Sequence, residues 1–394
     1  MGTKTGSGFS TNKNTDLAVT EVCNSAIKGL SGATSDLAIV FVSTSHDYKA
    51  VLKKIKTLTK TTNIVGCSTA GEFNESNAAT GGISLMLISS DTIKFSLEKS
   101  TDVKQENFKQ IADTVFGSYK DESRKMMAEG FPNQTVLILT DGFMTNRDEL
   151  IKDIYAKTGI TSQLAGGSAG DDVKFKETCV FYNEEVLVNA LVFVKLFSKN
   201  KVGIGVSHGM KPSSQTMKVT KSDGSKVYEL DGKPALEVYK EHAKAHGVEL
   251  TPENTSAYLI ANNLGIKDLT FQKIRAPISA NPDGSLNVAG EVPQGATVTI
   301  VESGVAPLLK AADDAANEAK TNLKGSKPAG VVVFDCICRQ IILDKDYVRE
   351  AQTISKVLDS SPTVGFSTYG EIAKTAGKLN GFHNSTVVVC ALPE

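Results

Sequence analysis

A short turn recurs in this chain, and its recurrence constrains the fold more than any other feature. Ile64-Val-Gly-Cys-Ser-Thr-Ala-Gly-Glu72, Leu164-Ala-Gly-Gly-Ser-Ala-Gly-Asp171 and Val364-Gly-Phe-Ser-Thr-Tyr-Gly-Glu371 each carry an apolar run into a Gly/Ser turn that ends on an acid. Upstream of each stands the same series: an apolar run (Leu37–Val42, Val136–Leu139, Val331–Asp335), a polar loop, and a helix-like segment (48–58, 148–157, 347–358). Such self-similarity marks a repeated supersecondary unit, here strand, helix, strand. A further β-branched run follows each turn, at Ile83–Ile88, Val186–Val194 and Thr386–Leu392. Continuous apolar strands predict sheets covered on both faces. The expected class is therefore α/β: repeated βαβ units forming mixed sheets covered by helices, in two packed halves.

The stretch between the second and third units has a different texture. Val202–His208, Met217–Thr220 and the start of 226–236 read as strands, the last turning into a Pro-initiated helix that runs to about His246. Tyr258–Ala261, Lys273–Arg275, Leu286–Val288 and Ala296–Val301 read as strands and hairpins around Asn281-Pro-Asp-Gly284, and the Ala-rich segment Leu308–Leu323 as a helix. At 394 residues the chain exceeds one ordinary core. The halves are expected at 1–225 and 226–394.

Charge narrows the partners. With 43 Lys+Arg against 44 Asp+Glu and no long run of one sign, neither nucleic acid nor an anionic membrane surface is expected. No apolar run approaches the roughly 20 residues of a membrane span, and the N-terminus is too polar for a signal peptide. A cytoplasmic protein is expected, its six scattered cysteines reduced and Cys336-Ile-Cys338 structural rather than metal-binding.

The turns suit ligand capture, because glycine lets a ligand approach the main chain and Ser and Thr hydroxyls donate or accept. Ser68, Thr69 and Glu72 of the first copy and Ser367, Thr368, Tyr369 and Glu371 of the last are the candidate ligand-binding residues. The alternative is that these are tight turns held by their own hydroxyls, with the glutamates paired inside the protein. Arg339, among apolar neighbours, needs an anion, either a ligand carboxylate or Glu371. His383 and Asn384, before the last strand, could join the pocket or form a hydrogen-bonded turn. His242 and His246 share a helix face but lack a third metal ligand in view. Gly166-Gly-Ser-Ala-Gly170 fits a hydrolase elbow, yet no convincing helix follows, so Ser168 is a weak nucleophile candidate. No Walker loop, dinucleotide loop or His-Glu-x-x-His is present. No catalytic residue is assigned.

Taken in order, Gly66-Cys-Ser-Thr-Ala-Gly-Glu72, Leu230-Asp-Gly-Lys-Pro-Ala235, Cys336-Ile-Cys-Arg339, Gly365-Phe-Ser-Thr-Tyr-Gly-Glu371 and Phe382-His-Asn-Ser-Thr386 resemble the FIST family over nearly the full length. The resemblance implies a non-catalytic sensory module of bacterial signal transduction that binds an amino acid or similar small polar metabolite. It also implies an output partner, and since the module takes up the whole chain, a separate histidine kinase, cyclase or chemoreceptor component is expected. Some members resembling this module are haem proteins that sense nitric oxide. With five histidines and no Cys-x-x-Cys-His, any haem here would be held non-covalently. If a pocket exists, it is expected between the first and last copies of the turn.

Overall fold

Each apolar run becomes a strand whose alternate side chains enter different cores, which is why none alternates with polar residues. In the first unit Leu37, Ile39 and Phe41 enter one core and Ala38, Val40 and Val42 another. Leu137 and Leu139 oppose Val136 and Ile138 in the second unit, and Val332 and Phe334 oppose Val331 and Val333 in the third. The inward set of all three units forms one shared core. The computed structural model, which describes residues 2–267, 272–375 and 378–394, thus arranges three mixed sheets around a common apolar centre with helices outside.

Every unit repeats one pairing scheme. A parallel pair lies at its middle: Leu37–Val42 with Ile64–Ser68, Asn133–Thr140 with Gln163–Ser168, and Pro328–Cys336 with Thr363–Thr368. An antiparallel return strand flanks it (Ile83–Ser90, Leu191–Ser198, Val387–Pro393), followed by an outer strand (Thr3–Ser10, Ile93–Ser100, Gly203–Ser207). The strand that follows each turn then leaves its own unit. Glu72–Asn74 pairs with Thr363–Thr368 of the third unit, Glu371–Thr375 with Gln163–Ser168 of the second, and Val180–Tyr182 with Ile64–Ser68 of the first. This exchange closes a cycle, so the two halves are interlaced as well as packed.

A fourth, antiparallel sheet is inserted in the third unit, between the outer strand Gly203–Ser207 and the helix Val305–Asn322. It has its own core of Val219, Val227, Leu230, Val298 and Ile300. Both the expected boundary at 225/226 and the Pro-initiated helix, Ala235–Ala245, fall inside this insertion.

The helix over 48–59 shows why the local predictions work. Asp47 accepts the Ala50 N–H at 3.1 Å as its N-cap, Val51, Leu52 and Ile55 bury, and Lys60 ends it in the left-handed region. One local prediction fails: Tyr258–Ala261 is not a strand but the end of the helix Pro252–Ala261. Thr251 and Asn254 form a capping box there, with Pro252 in the first turn, and these outweigh the β-forming residues. The run Val186–Val194 is two strands, Glu185–Leu187 and Leu191–Ser198, broken at Asn189, whose φ is 47°. Among the described residues no helix is long and apolar enough to cross a membrane.

Candidate functional site

The three turns meet head to tail. Ala70 N–H donates to Ser367 O at 3.2 Å, Tyr369 N–H to Ser168 O at 3.1 Å, and Gly170 N–H to Ser68 O at 2.9 Å. Gly71 and Gly370 adopt φ of 157° and 151°, and a Cβ at Gly370 would lie 2.0 Å from the Phe382 ring. The repeated motif is therefore the joint of the cycle. Ser68, Thr69, Glu72, Ser367, Thr368 and Glu371 are all fully buried in it.

The glutamates hold this joint. Thr69 Oγ1 donates to Glu72 Oε1, and Gly82 N–H, just before the return strand, donates to Oε2 at 2.8 Å. Thr368 Oγ1 and Thr386 N–H (3.1 Å) do the same for Glu371. Burial pushes the Glu72 carboxyl up to about 8, against its two hydrogen bonds. Burial, then the neighbouring Cys336, pushes Glu371 well above the usual range. A carboxyl raised on folding binds protons more tightly in the native state. Its contribution is complete below the ordinary value of 4.5 and is lost as pH rises through about 8. Glu72→Gln, which can donate to Thr69 and accept from Gly82, is expected to flatten that part of the pH–stability curve. Urea unfolding at pH 5 and pH 8.5 measures it, and an unchanged slope would contradict the assignment.

Arg339 finds its anion inside the chain, and that anion is not Glu371. Its Nε lies 2.9 Å from Asp335 and 3.1 Å from Glu350, which also takes Nη2, while Nη1 and Nη2 donate to His208 O and Leu308 O at 3.0 Å each. All its nitrogens are thus engaged. Ser367 bonds Tyr347 Oη at 2.9 Å and Gln340. His383 is buried opposite Glu371 in the strand pair, and Asn384 accepts from Ala276 N–H at 3.4 Å.

Two contiguous cavities open between units. A polar cleft of about 780 Å³ between the first and third units includes Ala70, Asp172, Gln340 and Tyr347 in its lining, with exposed Lys13 and Lys345 at its rim. This is the joint between first and last turns. It shares Val173, Ile337 and Ile341 with an apolar cavity of about 180 Å³ where the second and third units meet the inserted sheet. Tyr369 and Asn384 line the apolar cavity together with Phe143, Phe175, Cys336 and Arg147. Phe175 stacks on Tyr369 with centroids 5.3 Å apart. Phe143, Val173, Phe175 and Ile341 are large apolar residues more than 40% exposed at this one place, a cluster that marks a contact site rather than chance exposure.

The loop carrying Val173 and Phe175 is held under strain. Both residues sit at positive φ, 61° and 52°, which is costly for a β-branched and an aromatic side chain. Asp171 fixes them by accepting Phe175 N–H at 2.9 Å, Lys176 N–H at 2.6 Å and Tyr369 Oη at 2.6 Å, while Asp172 accepts Thr44 N–H at 2.9 Å. This loop replaces the Gly-Glu end of the second turn, and Val180 stands where Glu72 and Glu371 stand in the others.

The histidines do not fit a haem site at either cavity. Neither lining contains one; His46 bonds Thr15 at 3.1 Å, and His242 bonds Tyr258 at 2.8 Å and packs against the tilted ring of His246. Among the described residues no His, Cys, Asp and Glu cluster is able to hold a metal ion. Ser168 is fully buried and accepts from Thr140 Oγ1 at 2.9 Å and Arg147 at 3.3 Å, and a loop and strand, not a helix, follow it.

Comparison with known proteins agrees with this architecture. The model of the FIST N domain matches residues 36–233 and that of the FIST C domain residues 235–374. An uncharacterized protein of Methanocaldococcus jannaschii is 23% identical over 350 residues, covering 82% of this chain and 66% of that protein. An uncharacterized protein of Mycobacterium tuberculosis is 25% identical over 391 residues, covering 96% and 97%. A solved chorismatase aligns along the whole chain at 9% identity and a TM-score of 0.35, too distant a likeness to bear on function. With both domains matched across the interlaced halves, this chain belongs to the FIST family of signal-transduction sensor domains.

Proposed function

We propose that the protein is a non-catalytic sensory module that takes up one small ligand in the apolar cavity and passes its occupancy to a separate signalling protein. The supporting observation is the cavity itself, a partly open apolar space with a few polar groups at the meeting of three substructures, where ligand sites concentrate. Its walls come from different bodies: Gly142 and Phe143 from the second unit, Ile337 and Tyr369 from the third, Ala276 and Ala289 from the inserted sheet. A ligand touching all three favours one seating of the inserted sheet over others, and that differential affinity is what a partner reads. Binding without catalysis accords with the nucleophiles nearby, since burial and the adjacent Cys338 raise the Cys336 thiol well above its usual range.

Thermal melting against a panel of amino acids and small acids tests this. A ligand at a hundred times its Kd adds about 2.7 kcal/mol, and Ala289→Phe, which fills the cavity from a half-buried position, is expected to abolish the shift. A shift that survives Ala289→Phe would place the ligand elsewhere.

A further inference from the structure

Arg147 sets the chemistry of the ligand. It is 8% exposed and lines the apolar cavity. Its Nη1 donates to Gly142 O at 2.9 Å and to Ser168 Oγ at 3.3 Å, and its guanidinium lies 4.3 Å from the centroid of Phe382. Among the described residues Nε and Nη2 have no protein acceptor, and the group forms no ion pair. The other two deeply buried arginines differ in this respect: Arg275 is paired with Asp148, and Arg339 with Glu350 and Asp335.

The acids closest to hand are committed elsewhere. Asp141 accepts Phe143 N–H at 2.8 Å and Asn189 N–H at 3.0 Å. Asp148 is taken by Arg275 and by Lys273 at 2.5 Å, and Glu371 by Thr368 and Thr386. Burial lowers the Arg147 pKa only to about 10, so it is charged at neutral pH. A desolvated cation without a counter-charge is costly unless an anion completes it, and a guanidinium fork suits a carboxylate through two parallel bonds.

We propose that the ligand is a small monocarboxylate with a compact apolar body, its carboxylate held by Arg147 and its body by Phe143, Phe175, Tyr369 and the aliphatic wall. This rests on the reading of the cavity as the ligand site. No Asp or Glu lines the cavity, so an ammonium group would find no counter-charge there, and an α-amino acid is disfavoured against the acid lacking its amine. The volume, about 180 Å³, is close to the roughly 150 Å³ of a cavity that takes up benzene. A ring or a branched chain fits; a long chain does not.

Calorimetry on the full chain with benzoate, 3-methylbutanoate, benzamide, benzylamine and phenylalanine tests the assignment. Benzoate or 3-methylbutanoate is expected to bind, and benzamide, benzylamine and phenylalanine at least tenfold more weakly. Arg147→Gln is expected to weaken the carboxylates by about tenfold to a hundredfold and to leave benzamide unchanged. The wild-type comparison of benzoate with benzamide needs no variant, so a poorly folded Arg147→Gln leaves the test intact. If benzamide binds as well as benzoate, or phenylalanine binds best, the carboxylate assignment falls while the cavity remains the ligand site. If none of the five binds at millimolar concentration, both readings fall.

Discussion

Arg339→Ala is expected to remove about 3–5 kcal/mol of unfolding free energy, because it leaves two carboxylates in a space that water does not reach. Asp335 and Glu350 are 0% and 1% exposed, and Arg339 itself is 0% exposed. Burial, then Glu350, already pushes the Asp335 carboxyl well above its usual range, with Arg339 opposing. Without the guanidinium Asp335 would lose the charge that opposes its burial, Glu350 would lose its partner, and His208 O and Leu308 O would lose their donor. Arg339→Lys is expected to recover only part of the loss, since an ammonium cannot reach two acids and two carbonyls in one plane. Urea unfolding measures the stability, and calorimetry with the tightest ligand measures affinity. Stability unchanged with affinity lost would return Arg339 to the ligand site and remove it from the structural one.

That outcome separates two arginines which the sequence ranks in the opposite order. Arg339 stands out in the sequence because it closes Cys336-Ile-Cys-Arg339 among apolar neighbours, where a guanidinium needs an anion. Its closeness in sequence to Asp335 is a plainer explanation, and the ion pair from the end of the strand Pro328–Cys336 to the helix that follows is what the structure contains. Arg147 draws no attention, since it sits beside Asp148 and the pair looks like a solvated helix start. In the fold the two side chains part: Asp148 turns to Arg275 and Lys273 of the inserted sheet, and Arg147 to the cavity. One legible signal did exist. Arg147 follows the loop at the carboxyl end of a central parallel strand, the end at which open α/β sheets place their ligands.

The strands themselves were legible because burial on both faces leaves an unbroken apolar run, as in Leu37–Val42. The exchange between units was not. Nothing in the composition of Glu72-Phe-Asn74 names a partner almost 300 residues away, and nothing in that of Glu371-Ile-Ala373 names one about 200 residues away. Conservation of the turn between copies was likewise ambiguous, since a joint and a pocket both favour glycine and hydroxyl groups. The hydrogen bonds decide it, because each turn's N–H meets another turn's serine carbonyl. The strand Thr3–Ser10, with Gly6 and Gly8, escaped the reading for the opposite reason. A Cβ at Gly6 would lie 1.9 Å from Ala26 O of the covering helix, so close packing there excludes the apolar side chains that announce a strand.

Asp148→Asn is expected to loosen the inserted sheet from the three-unit body and to cost about 3–5 kcal/mol, the effect of stranding a buried arginine. Arg275 is 1% exposed; apart from Asp148 its donors reach only the carbonyls of Ile274, Glu291 and Phe382, at 3.0 Å each. Burial alone would raise the Asp148 carboxyl, but Arg275 and Lys273 hold it below the usual carboxylate range. Its contribution is therefore present above the ordinary aspartate value and lost as pH falls through the lowered one, the reverse of the Glu72 case. The asparagine keeps the shape and removes the charge, so the loss reports electrostatics and not a cavity. Amide exchange is expected to accelerate in 272–289 more than in the central strands 331–336, and the ligand-induced rise in melting temperature is expected to shrink, because Ala276 and Ala289 wall the same cavity. Adding Arg275→Met to Asp148→Asn is expected to recover part of the stability, as removal of both charges of a buried pair commonly does. Equal acceleration throughout the chain would mean that Asp148 supports the whole molecule; acceleration confined to 272–289 with an unchanged ligand response would mean that the inserted sheet moves without sensing the cavity.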